Sequence, residues 1–148
     1  MTSLSIDFDD LAPGMEVETE ARTVTESDVI AFADLTGDRN PQHLDAGFAR
    51  ESIFGERIAH GMLVLSCAVG LLPLDPHRVV ALRRIADATF KAPVKLGDTI
   101  RVHTRVVEVR PLEEGYGIVT LRWKVVNQKG ATALRAKAEV LWRRTPPS

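Results

Sequence analysis

His60-Gly61-Met62-Leu63-Val64-Leu65-Ser66-Cys67-Ala68-Val69-Gly70-Leu71-Leu72 decides the fold of this chain. Nine of these residues are apolar, and on a 3.6-residue repeat they fall on all sides. A helix without a polar stripe belongs in the centre of a fold, covered on every side. The apolar run, about Gly61 to Leu74, falls short of the roughly 20 residues that span a bilayer, so no membrane partner is expected.

The cover for this helix lies downstream. After Pro76 the pattern changes to period two and to β-branched residues. Val79–Ala92, Asp98–Val109, Tyr116–Gln128 and Thr132–Arg143 read as four long strands. Pro93 with Gly97, Pro111 to Gly117, and Lys129-Gly130 separate them. Upstream, Met15–Val24 alternates loosely and reads as one strand. Thr25-Glu26-Ser27-Asp28 is a helix start, with Thr25 as cap and acidic residues in the first turn. Val29, Ile30, Phe32, Ala33 and Leu35 supply its apolar face, and Gly37 its stop. Asp45–Glu51 reads as a short helix, Ser52–Arg57 as a loop, and Met1–Ile6 and Thr145–Ser148 as extended ends. One strand, then helices, then four strands predicts an α+β domain: an antiparallel sheet wrapped around one buried helix.

With 148 residues, 45% of them hydrophobic and 26% charged, the chain is expected to form a single domain over residues 1–148. A net charge of −1 gives no reason to expect nucleic acid as a partner. The N-terminus has neither a basic region nor a long apolar one, so no secretory signal is expected. The lone Cys67 permits no intrachain disulfide, which agrees with a cytoplasmic protein. Set inside the long helix, Cys67 reads as inert packing.

The stretch Gly37-Asp38-Arg39-Asn40-Pro41-Gln42-His43-Leu44-Asp45 carries the chemistry. It places a carboxylate and an imidazole five residues apart, across a Pro41 turn. Acid/base work near neutral pH needs one group that holds a negative charge and one that titrates near 7. The bland alternative is a helix end followed by a turn, with Asp38 satisfying local N–H groups. His60 reads three ways: a cap for the long helix, a filler of a polar gap, or a ligand contact, with a structural role favoured. Gly61, without a side chain, lets a substrate oxygen approach a helix N-terminal N–H. No metal site is expected, because the spacing of His43, His60, His77 and His103 with one cysteine matches no zinc pattern. His77 and His103 read as solvent-facing. Neither Ser66 nor any glycine-rich loop carries a nucleophile or phosphate motif.

These segments resemble a known family. Ala33 through Asp45 is similar to the hydratase motif of MaoC-like proteins, the (R)-specific enoyl-CoA hydratases. Ile58-Ala59-His60-Gly61-Met62 resembles the start of their central helix, and Phe90 through Ile100 their strand-turn-strand segment. The resemblance covers nearly the whole chain. It implies a single hotdog fold, a homodimer or higher homo-oligomer joined sheet edge to sheet edge, and an acyl tunnel beside the helix. It implies that Asp38 and His43 are the catalytic pair holding one water, that Gly61 N–H binds the thioester carbonyl, and that Asn40 orients the water or Asp38. The substrate would be an acyl-CoA thioester, with no cofactor. Some family members carry a serine on the central helix where this chain has Val69, with Ser66 one turn earlier. Leu65, Val69 and Leu72 are expected to set the tunnel depth. Lys91, Lys95, Arg83 and Arg84 are candidates for the phosphates. Three competing readings are an acyl-carrier-protein-linked 3-hydroxyacyl dehydratase, a hotdog thioesterase, and a non-catalytic acyl-thioester binder.

Overall fold

The computed structural model describes residues 4–144. Its elements are β1 (Glu16–Glu18), β2 (Arg22–Thr23), α1 (Glu26–Thr36), α2 (Pro41–Leu44), α3 (Ala46–Arg50), α4 (Gly61–Leu71), β3 (Val79–Phe90), β4 (Thr99–Pro111), β5 (Tyr116–Val126) and β6 (Thr132–Arg143). The sheet runs β1-β4-β5-β6-β3, with β2 also pairing β4, and every named pairing is antiparallel. The four long strands therefore stand where periodicity puts them. The single strand expected over Met15–Val24 is instead two short ones, because Thr19 breaks the ladder. Its Oγ1 donates to the Glu20 carbonyl and accepts from the Val102 N–H.

Two of the extended-end readings meet the structure differently. Leu4 is buried and Ile6 is tied down, its carbonyl accepting from Trp142 Nε1 at 3.1 Å. The expectation for Met1 to Ser3 and for Thr145–Ser148 lies outside the described residues.

Helix α1 starts as its sequence dictates. Thr25 Oγ1 accepts from Asp28 N–H at 3.2 Å, and the Asp28 carboxylate accepts from Thr25 N–H at 3.0 Å. This reciprocal cap satisfies two orphan donors. Gly37, at φ 81, closes the helix in the left-handed region that glycine adopts without strain. The Thr25 N–H, and then the Arg22 charge, hold the Asp28 carboxyl below its usual range. A carboxyl depressed in the folded state stabilises above its unfolded pKa, and that stabilisation is lost as pH falls through the folded value. Asp28→Asn is therefore expected to lower the unfolding midpoint at neutral pH. The gap to wild type should close below about pH 4, which thermal unfolding across a pH series would show.

Helix α4 packs on β4, and Leu63, Val64, Leu65 and Ala68 are buried with Trp123 and Trp142 in the core. Each of these Leu and Val side chains contributes roughly 1.5–3 kcal/mol by leaving water. The helix is not covered on every side, as its composition suggests. Met62 is 57% exposed, and Ser66 and Gly70 are exposed on the same face. A second open surface is the edge strand β3, where no side chain is buried, and Val80, Leu82, Ile85 and Phe90 are exposed. An apolar sheet edge of this length is ready to pair with another strand.

Candidate active site

Asp38 leaves α1 in a turn held by its neighbours. Its N–H donates to Thr36 Oγ1 at 3.2 Å, and its Oδ1 accepts from the Asn40 N–H at 3.3 Å. The bland reading of this aspartate is thus partly true. His43 does not lie beyond a Pro41 turn; it lies inside the short helix α2. Asn-Pro is both a turn signal and a helix start, and here Asn40 caps the helix. Its Oδ1 accepts from Gln42 N–H at 3.0 Å, with Pro41 at the first helical position.

Helix α2 is then fastened to the segment before α4. His43 Nδ1 lies 2.7 Å from the Ile58 carbonyl, and the Ile58 N–H donates to the Gln42 carbonyl at 3.3 Å. Arg57 Nε donates to the His43 carbonyl at 2.7 Å, while its other nitrogen reaches Glu26 of α1 at 2.9 Å. Ala59 N–H donates to the Val94 carbonyl at 2.7 Å, anchoring the segment to the turn after β3. A carbonyl only accepts, so His43 Nδ1 carries the proton. In the neutral ring, Nε2 keeps its lone pair.

His60, 2% exposed, stands between these parts. Its Nε2 donates to the Asp38 carbonyl at 3.0 Å. Its ring stacks on His43 with centroids 3.9 Å apart, and meets the Phe32 ring edge-on at 4.9 Å. It occupies the N-cap position of α4 but makes no side-chain cap bond, so of the three readings the capping one fails.

Asp38, His43 and His60 bring one ligand-type atom each to within 4.8 Å of the others. These are metal-ligand residue types. The stacking works against a shared ion: with 27° between the ring planes, one ion cannot lie near both planes at bonding distance.

Gly61 opens α4, so its N–H has no partner within the helix. No described residue accepts from it. It lines the same cavity as Asp38 and His43, a space of about 430 Å³. Phe54, Met62, Val64, Phe90, Val94 and Ala133 form the apolar walls. The residues expected to set the tunnel, Leu65, Val69 and Leu72, do not line it. Leu65 and Leu72 are buried in the core, so Val64 and Met62 face the cavity instead. Phe54, Val94 and Ala133 went unrecognised in the sequence, because they come from separate loops and strands with no shared pattern.

A β-carbon on Gly61 would lie 2.7 Å from Phe90 Cε1, so this glycine also makes room for the ring. Gly61→Ala is expected to displace Phe90 into the cavity and lower kcat/KM on the order of 10- to 100-fold. Trimming the ring with Phe90→Leu in the same chain should recover most of the loss. Steady-state kinetics on the two variants check this.

Ser66 Oγ donates to the Met62 carbonyl at 2.7 Å, and neither it nor Val69 reaches the cavity. Burial pushes the Cys67 thiol up, in keeping with an inert packing residue. His77 and His103 are exposed. Lys91 is exposed and lines the cavity, whereas Lys95 pairs with Glu56 and Arg83 with Glu139.

A single antiparallel sheet wrapped on a central helix is the architecture of a hotdog fold. A Mycobacterium tuberculosis protein described as a double hotdog superposes with TM-score 0.85 at 23% identity, over 97% of this chain and 46% of that one. The MaoC like domain model matches residues 9–127, and the chain belongs to that family. It is similar to an (R)-specific enoyl-CoA hydratase of Aeromonas caviae, 37% identical over 132 residues that cover 87% of this chain and 96% of that protein. It is also similar to an Archaeoglobus structure described as a monoamine oxidase regulatory protein, with TM-score 0.89 and 42% identity over 95% of this chain and 96% of that one. Other curated relatives are longer, and the matched stretch spans 29% of one and 66% of another. Among the described residues no helix is long and apolar enough to cross a membrane.

Proposed function

We propose that this protein adds water to trans-2-enoyl-CoA to give (3R)-3-hydroxyacyl-CoA, or runs the reverse dehydration. One observation carries the reading. Asp38, His43 and Gly61 line one apolar-walled cavity, with the His43 Nδ1 taken up by the Ile58 carbonyl and the Gly61 N–H unpartnered among the described residues. The activity named for the Aeromonas relative supports it.

The chemistry follows from those three groups. Asp38 and His43 hold a water between them. The pair takes a proton from the water as its oxygen bonds C3 of the enoyl chain. The π electrons move toward C2 and the thioester oxygen. The Gly61 N–H, at the positive end of α4, stabilises that growing negative charge. The pair then returns a proton to C2 on the same face. No cofactor takes part. Asn40 orients the Asp38 carboxylate with its backbone N–H, and its side-chain Oδ1 caps the helix that carries His43. The apolar walls take the acyl chain, and Lys91 meets the carrier phosphates.

The protein works as a homodimer joined through the exposed β3 edges, in the cytoplasm. The apolar side chains Val80, Leu82 and Ile85 on that edge favour pairing over exposure.

The test is direct. Adding the protein to crotonyl-CoA and longer enoyl-CoAs should lower the enoyl absorbance, with one chain length preferred. A solution mass of twice 16.3 kDa or a multiple of it is expected. Enoyl-CoAs left untouched, with turnover of the acyl-carrier-protein thioester, would move the reading to the carrier-protein dehydratase. No turnover of either would leave a binder.

A further inference from the structure

Thr19, His60 and Thr104 are the buried polar side chains among the described residues, and Thr19 is satisfied by its own hydrogen bonds. His60 is the one that touches the site, and the hydration chemistry assigns it nothing. Its Nδ1 is buried with no partner among the described residues. A buried polar atom without a partner is destabilising, and an apolar ring of similar size would fill the same space without that loss. Thr104 Oγ1 and Trp123 Nε1 are unpartnered in the same way, and His60 is the one of the three whose other polar atom binds a residue lining the site.

We infer that His60 is a positioning residue, which holds the Asp38 main chain and the His43 ring in register with the Gly61 N–H. Three contacts carry this. First, the bond from His60 Nε2 to the Asp38 carbonyl, 3.0 Å long, spans 22 residues. The other bonds at Asp38 run to Thr36 and Asn40 inside the same exposed turn. They shape the turn but do not place it against α4. Second, the His60 ring stacks on His43 at 3.9 Å, so it sets the face of the imidazole whose edge Ile58 fixes. Third, His60 precedes Gly61 in the chain, so the residue that holds the acid/base pair is covalently joined to the carbonyl-binding N–H. Phe32 of α1 closes the far side of the ring at 4.9 Å. One side chain thus ties together two groups that must act on adjacent carbons of one substrate.

The inference rests on the hydration reading for its rate effects, so the test has a second arm that does not. Glutamine places an amide N–H near the Nε2 position, whereas asparagine is one methylene too short to reach the Asp38 carbonyl. His60→Asn is expected to lower kcat roughly 10- to 100-fold while KM on crotonyl-CoA stays within about twofold. His60→Gln should recover most of kcat, with unfolding midpoints of the two variants alike. Equal kcat in wild type, His60→Asn and His60→Gln would overturn the inference, as would losses that track the folded fraction. The second arm reads the imidazole nitrogen NMR shifts of His43 in the intact protein. Both variants lose the stacked ring, so both should move these shifts by a common ring-current amount, and His60→Asn should move them further than His60→Gln. Equal shifts in the two variants overturn the positioning role even if the substrate is not an enoyl thioester. An inactive wild type with a larger movement in His60→Asn than in His60→Gln sinks the hydration reading and leaves the positioning role standing.

Discussion

Asp38→Asn is expected to lower the hydration rate of trans-2-enoyl-CoA by roughly 100- to 10,000-fold and to leave the fold intact. The two effects separate because of where Asp38 sits. It is exposed, and the one hydrogen bond of its carboxylate among the described residues is accepted from the Asn40 N–H. An asparagine oxygen can accept that same bond. What is lost is the negative charge that draws a proton from water, and nothing in the turn depends on that charge. The unfolding midpoint should stay within a few degrees of wild type while kcat collapses. Enoyl absorbance kinetics and a thermal melt on the same preparation give both readings. Retention of activity would place the base elsewhere.

His43→Asn is the second large effect, again roughly 100- to 10,000-fold in kcat. Asparagine keeps a donor near the Nδ1 position, so the bond to the Ile58 carbonyl, 2.7 Å in the native protein, can persist. The Arg57 contact to the residue 43 carbonyl is a backbone bond and survives. The variant loses Nε2 and the stacked ring, and little else. His43→Ala removes the Ile58 bond as well, so it should lose the same activity and more stability. A matched loss of activity with unequal melts is the expected pattern. Equal melts would mean that the Ile58 bond does not hold α2.

The parts of this molecule that were legible from sequence are those with a strong local signal. The four long strands declare themselves by alternation, and α1 by the Thr25–Asp28 cap. Asp38 and His43 were readable because Gly37, Asn40 and Pro41 punctuate the chain around them. Tertiary context decided the rest. Met62, Ser66 and Gly70 lie on an open face of α4, although the helix composition asks for full burial. Which α4 residues face the cavity is a matter of helical phase against the sheet, so Val64 and Met62 line it while Leu65 and Leu72 enter the core. Asn-Pro admits a turn or a helix start, and the Asn40 side chain chose the latter. His60 was ambiguous because its three contacts, to Asp38, His43 and Phe32, come from segments between 17 and 28 residues away.

The central claim is that Asp38, His43 and Gly61 add water across an enoyl thioester on one face. Incubating trans-2-enoyl-CoA with the protein in deuterated water, and reading the product by NMR, tests it most directly. The account predicts a (3R)-3-hydroxyacyl-CoA with a single deuterium at C2, delivered to the same face as the hydroxyl. A (3S) product, deuterium on the opposite face, or release of free coenzyme A without a hydroxyacyl product would contradict it.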